Sequence, residues 1–305
     1  MNAPPNVERD YPLSRLTTVR AGGAADFFAR PSSDPEVVEL LVWAERENLP
    51  VGVVGSGSNL LVADAGFQGL VIKLAEGLTG VERDGTHVRA GGGARLPSAA
   101  ARAAGWGLTG LEFGVNIPGT VGGAVRMNAN AYGGELGKVL EVVTVCTAAG
   151  TETRRPEDLG LRYRGSDLGE REVATGATFA LAEADPADVK ATMGEMRRRR
   201  KEAQPSGIKT FGSTFMNPDD ARAEGRSAGQ LLDAAGARGL AVGGARLSPK
   251  HANFVENTGA ATTADILEVM AAARRKVHER FGVVLEPEVQ VLGDVGWPEG
   301  WQLDP

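Results

Sequence analysis

The sequence contains few of the residues that build disulfide frameworks and metal centres. Its single cysteine, Cys146, excludes an intramolecular disulfide and any cysteine-cluster metal site. Cys146 lies in the apolar run 142–146, which favours a buried strand residue over a nucleophile. The three histidines, His87, His251 and His278, are too scattered to suggest a metal site. We therefore expect a protein that folds without covalent cross-links and holds no metal.

Long apolar runs and excess positive charge are also missing. No run approaches the roughly 18 apolar residues of a membrane-spanning helix, and residues 1–8 lack the basic and apolar segments of a secretory signal. We therefore expect a cytoplasmic protein with no membrane partner. The net charge of -6 argues against nucleic acid as the main partner, because that binding depends on a basic surface.

What is present is typical of a globular chain of about two domains. A chain of 305 residues, 42% of them hydrophobic, can bury a sizeable core without disulfides. The residue pattern predicts a strand-rich first part and a smaller mixed second part, an α+β protein, with the main break at Gln204-Pro205. Helices are predicted from Asp34 as the capping residue to about 49, and at 97–105, 186–201, 227–235 and from Thr262 or Thr263 onward. Strands are predicted at 51–54, 60–62, 69–74, 88–90, 139–146 and 173–181, and near Ala241 and Phe254. Residues after Gly293 show no pattern, and we expect them to be loosely ordered.

Glycine is unusually frequent. The 42 glycines are nearly twice the usual share of about 7%, and they cluster, which allows a backbone to approach a ligand closely. The first cluster, residues 55–60, is not a Rossmann fingerprint, because Leu60 replaces the last glycine and a strand follows. It also lacks the Gly-Lys-Ser/Thr sequence of a P-loop. Two interpretations remain open: a nest of backbone N–H groups for a diphosphate, or a tight hairpin.

The second cluster covers residues 114–124 and leads into 127–134. More than twenty residues there are small, amide or apolar, whereas a solvent-exposed loop would be more charged. A buried loop with so many backbone donors needs acceptors for them, and an anionic ligand supplies acceptors. This pattern favours ligand binding over turn formation alone.

Four shorter segments are ambiguous when taken singly. Residues 162–166 and the basic run 197–200 fit solvent-exposed surface, although part of the basic run could face a diphosphate. Ser213 lies between aromatic residues and is not a hydrolase elbow, because Phe215 replaces the required glycine. Residues 285–289 place a carboxylate among apolar neighbours, where desolvation would favour the neutral acid and a role as proton donor.

Together these segments resemble the UDP-N-acetylenolpyruvoylglucosamine reductase family over about residues 13–293. The resemblance rests on seven blocks in family order: residues 16–23, 55–62, 117–120, 163–166, 212–218, 251–253 and 285–289. It implies a cresol-hydroxylase-like (PCMH-type) FAD-binding domain at 16–185, after an N-terminal segment 1–15. A smaller α/β substrate-binding domain at 186–295 and a tail at 296–305 follow. The short stretch between Ser166 and Pro186 resembles the shorter form of the family, which lacks an extra loop with a substrate-gating tyrosine.

The resemblance also implies the reaction. NADPH reduces non-covalently bound FAD, which then reduces the enolpyruvyl double bond of a UDP-N-acetylglucosamine derivative in peptidoglycan precursor synthesis. By match to the family, Arg164 and Glu288 stabilise the developing charge, and Ser213 is the general acid. The residues matched to substrate binding are Tyr163, Lys201, Asn217 and Asn253. Those matched to FAD binding are Gly55, Ser56, Gly57, Ser58, Asn59, Leu60, Asn116, Ile117, Pro118, Gly119, Gly122, Gly123, Ala124 and Asn128. We expect a monomer.

Three positions depart from the family pattern. Met216 stands where lysine is frequent and Gln290 where arginine is common, which puts substrate affinity in doubt more than reaction type. Asn130 replaces a frequent glycine, a mild change because asparagine tolerates positive φ. Two other functions stay open: a flavin oxidase of the same fold, which often attaches its flavin covalently, and a non-catalytic nucleotide-sugar sensor.

Overall fold

A computed structural model describes residues 3–303, which form two compact units, each assembled from separate stretches of chain. Unit 1 contains residues 3–11, 26–56 and 68–200, and unit 2 contains residues 12–25, 57–67 and 201–303. The boundaries expected from the sequence are linear, whereas these two units are interleaved along the chain.

The helices and strands follow the predicted order. The helices are α1 (Asp34–Arg46), α2 (Leu96–Gly105), α3 (Val121–Arg126), α4 (Pro186–Ala203), α5 (Ala228–Ala234) and α6 (Thr263–Phe281). The strands are β1 (Val7–Pro12), β2 (Ala24–Ala29), β3 (Val51–Val53), β4 (Leu60–Val62), β5 (Phe67–Ile72), β6 (Val81–Asp84), β7 (His87–Gly91), β8 (Leu108–Thr109), β9 (Asn130–Ala131), β10 (Gly134–Glu135), β11 (Leu140–Thr147), β12 (Gly150–Arg154), β13 (Val173–Ala180), β14 (Ala182–Glu183), β15 (Ala241–Val242), β16 (Ala245–Leu247), β17 (Val255–Asn257) and β18 (Gln290–Leu292).

Unit 1 is built around two sheets. An antiparallel sheet in the order β12-β11-β13-β7-β6 packs its apolar side chains with those of α2 and α3. A second sheet in the order β1-β2-β5-β3, in which β3 and β5 are parallel, packs against α1. Cys146 on β11 is fully buried, as predicted, and burial raises the pKa of its thiol.

Unit 2 combines an antiparallel sheet, β15-β16-β17, with the parallel pair β4 and β18. Thr262 caps α6 through a reciprocal pair of hydrogen bonds with Asp265, at 3.0 and 3.1 Å. The predicted apolar stripe of α6 is confirmed as buried: Ile266, Val269, Met270, Ala273 and Val277.

Two local predictions are wrong. Ser33, not Asp34, is the residue before the first turn of α1, because Pro35 fits inside that turn and Asp34 becomes helical. The tail expected to be loosely ordered packs against unit 2 as far as Trp301. The buried Arg274 guanidinium lies 4.6 Å from the Trp301 ring and donates to the Leu285 carbonyl at 2.7 Å.

Candidate active site

The loop at residues 55–59 joins β3 to β4 but is not a hairpin. β3 pairs with β5 and β4 pairs with β18, so the two strands flanking the loop do not pair with each other. The hairpin interpretation is therefore wrong. Gly57 has φ +63°, and a methyl group added there would lie 2.0 Å from the Leu16 carbonyl oxygen, so the turn requires glycine.

The backbone amides of this loop are available to a ligand. Within residues 3–303, no amide from Gly55 to Asn59 donates to a protein acceptor. The Asn59 side chain is already in use, because its amide donates to the Glu288 carbonyl at 3.1 Å. Consecutive amides without protein acceptors are what a nest for an anion requires, so the first of the two interpretations stays a prediction.

In the loop at 114–124, several backbone N–H groups that we expected to bind a ligand have acceptors within the protein. The amides of Val121 and Gly122 donate to carbonyls of the 92–94 turn at 2.8 Å, and Gly123 N donates to the capping Thr120 hydroxyl at 3.4 Å. The prediction that these backbone donors lack protein acceptors is therefore wrong for the first turn of α3. The acceptors are carbonyls of the 92–94 turn, which contacts the start of α3 in the fold although it lies more than 20 residues earlier in the sequence.

The glycines of this loop fall into two groups. A methyl group on Gly122 would lie 2.6 Å from the Ala174 carbonyl oxygen, so close packing explains this glycine. Methyl groups on Gly119 and Gly123 would meet no protein atom closer than 3.9 and 3.4 Å, and neither residue has positive φ. Protein packing thus does not require glycine at 119 or 123. The space beside Gly119 and Gly123 would be filled by a side chain at either position. Such a space next to exposed backbone fits a cofactor that approaches the chain closely.

The predicted asparagines of unit 1 hold the loops in place. The Asn128 side chain accepts from Gly137 N at 3.0 Å and donates to Glu135 at 2.8 Å, and it is almost fully buried. Asn116 donates to the Met196 carbonyl at 2.8 Å, while Arg200 donates to the Asn116 carbonyl. Burial lowers the pKa of the Arg200 guanidinium. The last arginine of the basic run is therefore a partly buried loop support rather than solvent-exposed surface.

The loops also contain the remaining predicted cofactor residues. Ile117 and Pro118 lie between Asn116 and the open glycines, and Ala124 is buried in α3. Ser56 and Ser58 alternate with glycines in the first loop, and Leu60 opens β4.

Tyr163 and Arg164 occupy a tight turn of unit 1. Arg162 and Gly165 close this turn with reciprocal backbone hydrogen bonds of 3.0 and 3.2 Å. Arg164 has φ +59°, an uncommon conformation for a branched or long side chain, and its guanidinium donates to the Asn130 carbonyl at 3.2 Å. The guanidinium lies 5.4 Å from the Tyr163 ring, which is half-exposed. Such strained residues are enriched at functional sites.

Ser213 and Glu288 lie on paired segments of unit 2. Glu288 N donates to the Thr214 carbonyl at 2.9 Å, and Met216 N donates to the Glu286 carbonyl at 2.8 Å. The structure therefore brings together two of the three predicted catalytic residues, although they are 75 positions apart in the sequence. The sequence predicted a carboxylate in an apolar environment within residues 285–289. For Glu286 this prediction is wrong, because its side chain is 59% exposed and paired with Arg274.

The predicted substrate asparagines support the Ser213 segment. The Asn253 side chain accepts from Phe215 N at 2.9 Å and donates to the Phe215 carbonyl at 2.8 Å. Asn217 accepts from Ala228 N, at the start of α5, at 3.1 Å. The carbonyl of Lys201 accepts from the Lys250 ammonium at 2.8 Å, and the Lys201 side chain is exposed.

Two residues that the sequence analysis left without a role also belong to these networks. His251 accepts from Asn253 N through Nδ1 at 3.2 Å, and burial together with the charge of Arg238 lowers the pKa of its ring. Lys73 donates to the Gly55 carbonyl at 2.5 Å. The only sequence signal for Lys73 was a lone charge at the end of the apolar strand 69–74.

Comparison with known proteins defines the class first. Residues 25–154 match an FAD binding domain, and residues 204–292 match the C-terminal domain of UDP-N-acetylenolpyruvoylglucosamine reductase. The two matched domains are those of an FAD-dependent oxidoreductase. Among residues 3–303, no helix has the length and apolar character needed to cross a bilayer.

Individual relatives define the family. UDP-N-acetylenolpyruvoylglucosamine reductase 2 of Symbiobacterium thermophilum is 42% identical over 96% of this chain and 94% of its own length. The reductase of Agathobacter rectalis is 42% identical over 94% of both chains. The crystal structure of the reductase (MurB) from Thermus caldophilus aligns with a TM-score of 0.81 and 36% identity, over 94% of this chain and 99% of that one. The chain belongs to the UDP-N-acetylenolpyruvoylglucosamine reductase family.

The predicted family, α+β fold and flavin cofactor are thereby confirmed. This membership favours the reductase over the flavin oxidase and over the nucleotide-sugar sensor. The role of each site residue stays a prediction.

Proposed function

We propose that the protein reduces the enolpyruvyl double bond of UDP-N-acetylglucosamine enolpyruvate to give UDP-N-acetylmuramate, a peptidoglycan precursor, with NADPH as electron donor. Bound FAD would supply the hydride chemistry, which transfers a hydride from NADPH to the vinyl carbon of the substrate. Family membership supports this reaction. The observation that carries it is the backbone pairing of the Ser213 and Glu288 segments, with 2.9 Å between Glu288 N and the Thr214 carbonyl oxygen.

Three side chains of the protein act on the substrate in this proposal. Arg164 stabilises the negative charge that develops toward the substrate carboxylate. Glu288 shares this electrostatic role. Ser213 donates the proton to the carbon next to the hydride acceptor, as a general acid.

The remaining roles are divided between cofactor and substrate. The amides of 55–59 and the open glycines 119 and 123 bind the flavin nucleotide. Tyr163 and Lys201 contact the substrate directly. Asn217 and Asn253 act on the substrate through the Ser213 segment, which their side chains hold in position.

We further propose that the protein acts in the cytoplasm and as a monomer. The single buried cysteine is compatible with a reducing compartment. Light scattering of the purified protein checks the oligomeric state, and fractionation of the source cells checks the location.

Two measurements test the function. The purified protein should be yellow, should release intact FAD on denaturation, and should oxidise NADPH when the enolpyruvyl UDP-sugar is added. A colourless protein that takes up no added FAD would refute the proposal. Covalently attached flavin with rapid reoxidation in air would favour the oxidase instead.

A further inference from the structure

Lys73 is a partly buried cation directly after β5, and a carbonyl is its only protein acceptor among the described residues. Its ammonium donates to the Gly55 carbonyl at 2.5 Å. Within residues 3–303, no carboxylate and no other acceptor contacts this ammonium, which has three N–H groups to donate. A buried ammonium usually has an ionic partner, because its desolvation is costly.

Arg95 approaches the same place from the second loop. Arg95 forms a backbone bridge with Thr120, and the Thr120 side chain packs on Gly55 so tightly that a methyl group on Gly55 would lie 2.4 Å from its hydroxyl. Lys73 and Arg95 therefore both adjoin the Gly55–Thr120 contact in unit 1. The Arg95 guanidinium makes no hydrogen bond or ion pair within the described part of the chain. Arg154 of the same unit, by contrast, is paired with Glu172.

The electrostatics of this cluster favour a bound anion. Burial lowers the pKa of Lys73, and the charges of Arg30 and Arg95 lower it further. The Arg30 guanidinium is 3.8 Å from the Glu8 carboxylate, whereas Lys73 has no carboxylate partner in the described part of the chain. These positive charges repel one another beside the glycine loop, and an anion placed between them would relieve that repulsion.

We propose that Lys73 and Arg95 form a phosphate-binding pair for the diphosphate of FAD. The proposal rests on the proposed function, which places FAD on the 55–59 loop and on the open glycines beside Thr120. The 2′-phosphate of NADPH has the same chemistry and is the competing source of the anion. FAD is favoured because Lys73 is bonded to the glycine loop itself, and because Arg95 pairs with the residue next to Gly119.

The test is flavin binding to the full chain after its flavin has been removed, measured by fluorescence titration. Lys73→Met should weaken FAD binding about 10- to 100-fold, as expected for loss of a charge-assisted contact to phosphate. Riboflavin has no phosphate, so its affinity should change less than about threefold. Lys73→Arg should retain most of the FAD affinity. Lys190→Met removes an exposed lysine of α4 and should leave both titrations unchanged.

Arg95→Gln gives a second, milder test, because Arg95 is exposed and its loss should not impair folding. This substitution should weaken the binding of FAD more than the binding of riboflavin, and it should make FAD binding less dependent on salt concentration. Equal weakening of FAD and riboflavin by Lys73→Met would overturn the proposal, since Lys73 would then only hold the Gly55 carbonyl. Unchanged FAD binding with a raised KM for NADPH, but not for NADH, would overturn it in favour of the 2′-phosphate. Failure of the wild-type protein to bind FAD would instead refute the proposed function.

Discussion

The two units differ in how far their own chain uses the polar groups near the proposed ligand sites. Unit 1 has an open backbone at Gly119 and Gly123 and two cations, Lys73 and Arg95, that contact no carboxylate within residues 3–303. In unit 2 the side-chain amide of Asn253 is used on the Phe215 backbone, whereas the buried Thr214 hydroxyl next to Ser213 has no protein partner among residues 3–303. The difference leads us to expect that an anion completes the cationic region of unit 1, whereas the Ser213 segment of unit 2 is held in place by its own chain.

The largest expected effect tests the organised segment of unit 2. Ser213→Ala should leave flavin reduction by NADPH unchanged, because that half-reaction transfers no proton to the sugar. Reoxidation by the enolpyruvyl UDP-sugar should slow about 10²–10⁴-fold, the usual contribution of a positioned acid. Stopped-flow absorbance at the flavin band measures both half-reactions on one sample.

Ser206→Ala, which changes an exposed serine of unit 2, should behave as the wild-type protein in both half-reactions. If Ser213→Ala reoxidises with substrate at the wild-type rate, Ser213 is not the acid, even though the family assignment would stand.

The next prediction tests the open backbone of unit 1. Gly123→Val should fold normally, because the added side chain meets no close protein atom. It should lower FAD affinity about 10- to 100-fold, since overfilling a site costs about 1–3 kcal/mol. The flavin content of the purified variant and titration with added FAD measure this loss.

Gly194→Val is the matched control, because Gly194 is also helical with open space beside it but lies on the exposed face of α4. Full flavin occupancy in Gly123→Val would mean that the 114–124 loop has only a structural role.

The smallest expected effect concerns the support of Asn253 by His251. Because the folded-state pKa of His251 is lowered below 6.5, the unfolded chain binds its proton first as the pH falls. The contribution of neutral His251 to the stability of the fold is therefore fully present above about pH 6.5 and is lost as the pH falls below that value. The midpoint temperature of thermal unfolding should decrease when the pH is lowered from 7.5 to 5.5. His251→Gln should make that decrease smaller, by the equivalent of at most about 1 kcal/mol in the free energy of unfolding. An identical pH dependence in wild type and variant would show that His251 does not couple to the fold.

Local patterns were enough to predict most of the elements. The apolar stripe of α6 and the strand around Cys146 were correct, because the periodicity of side-chain burial is written directly in the sequence. The position of Gly57 in a tight turn was also readable, since positive φ favours glycine. The flavin and the catalytic roles came from family resemblance rather than from these patterns.

The sequence by itself determined the α+β class, five of the helices, eight of the strands and the two glycine-rich loops, because short-range periodicity and backbone preferences specify them. Only the tertiary structure decided which groups remain available to a ligand. Thr120, Gly55 and Lys73 meet through contacts between distant segments, so no local pattern could indicate that Lys73 lacks a carboxylate. In the same way, the acceptors for the α3 amides come from the 92–94 turn, and the partner of the Ser213 segment is the segment that carries Glu288. Hydrogen-bond satisfaction depends on these long-range pairings, and the pairings exist only in the folded chain.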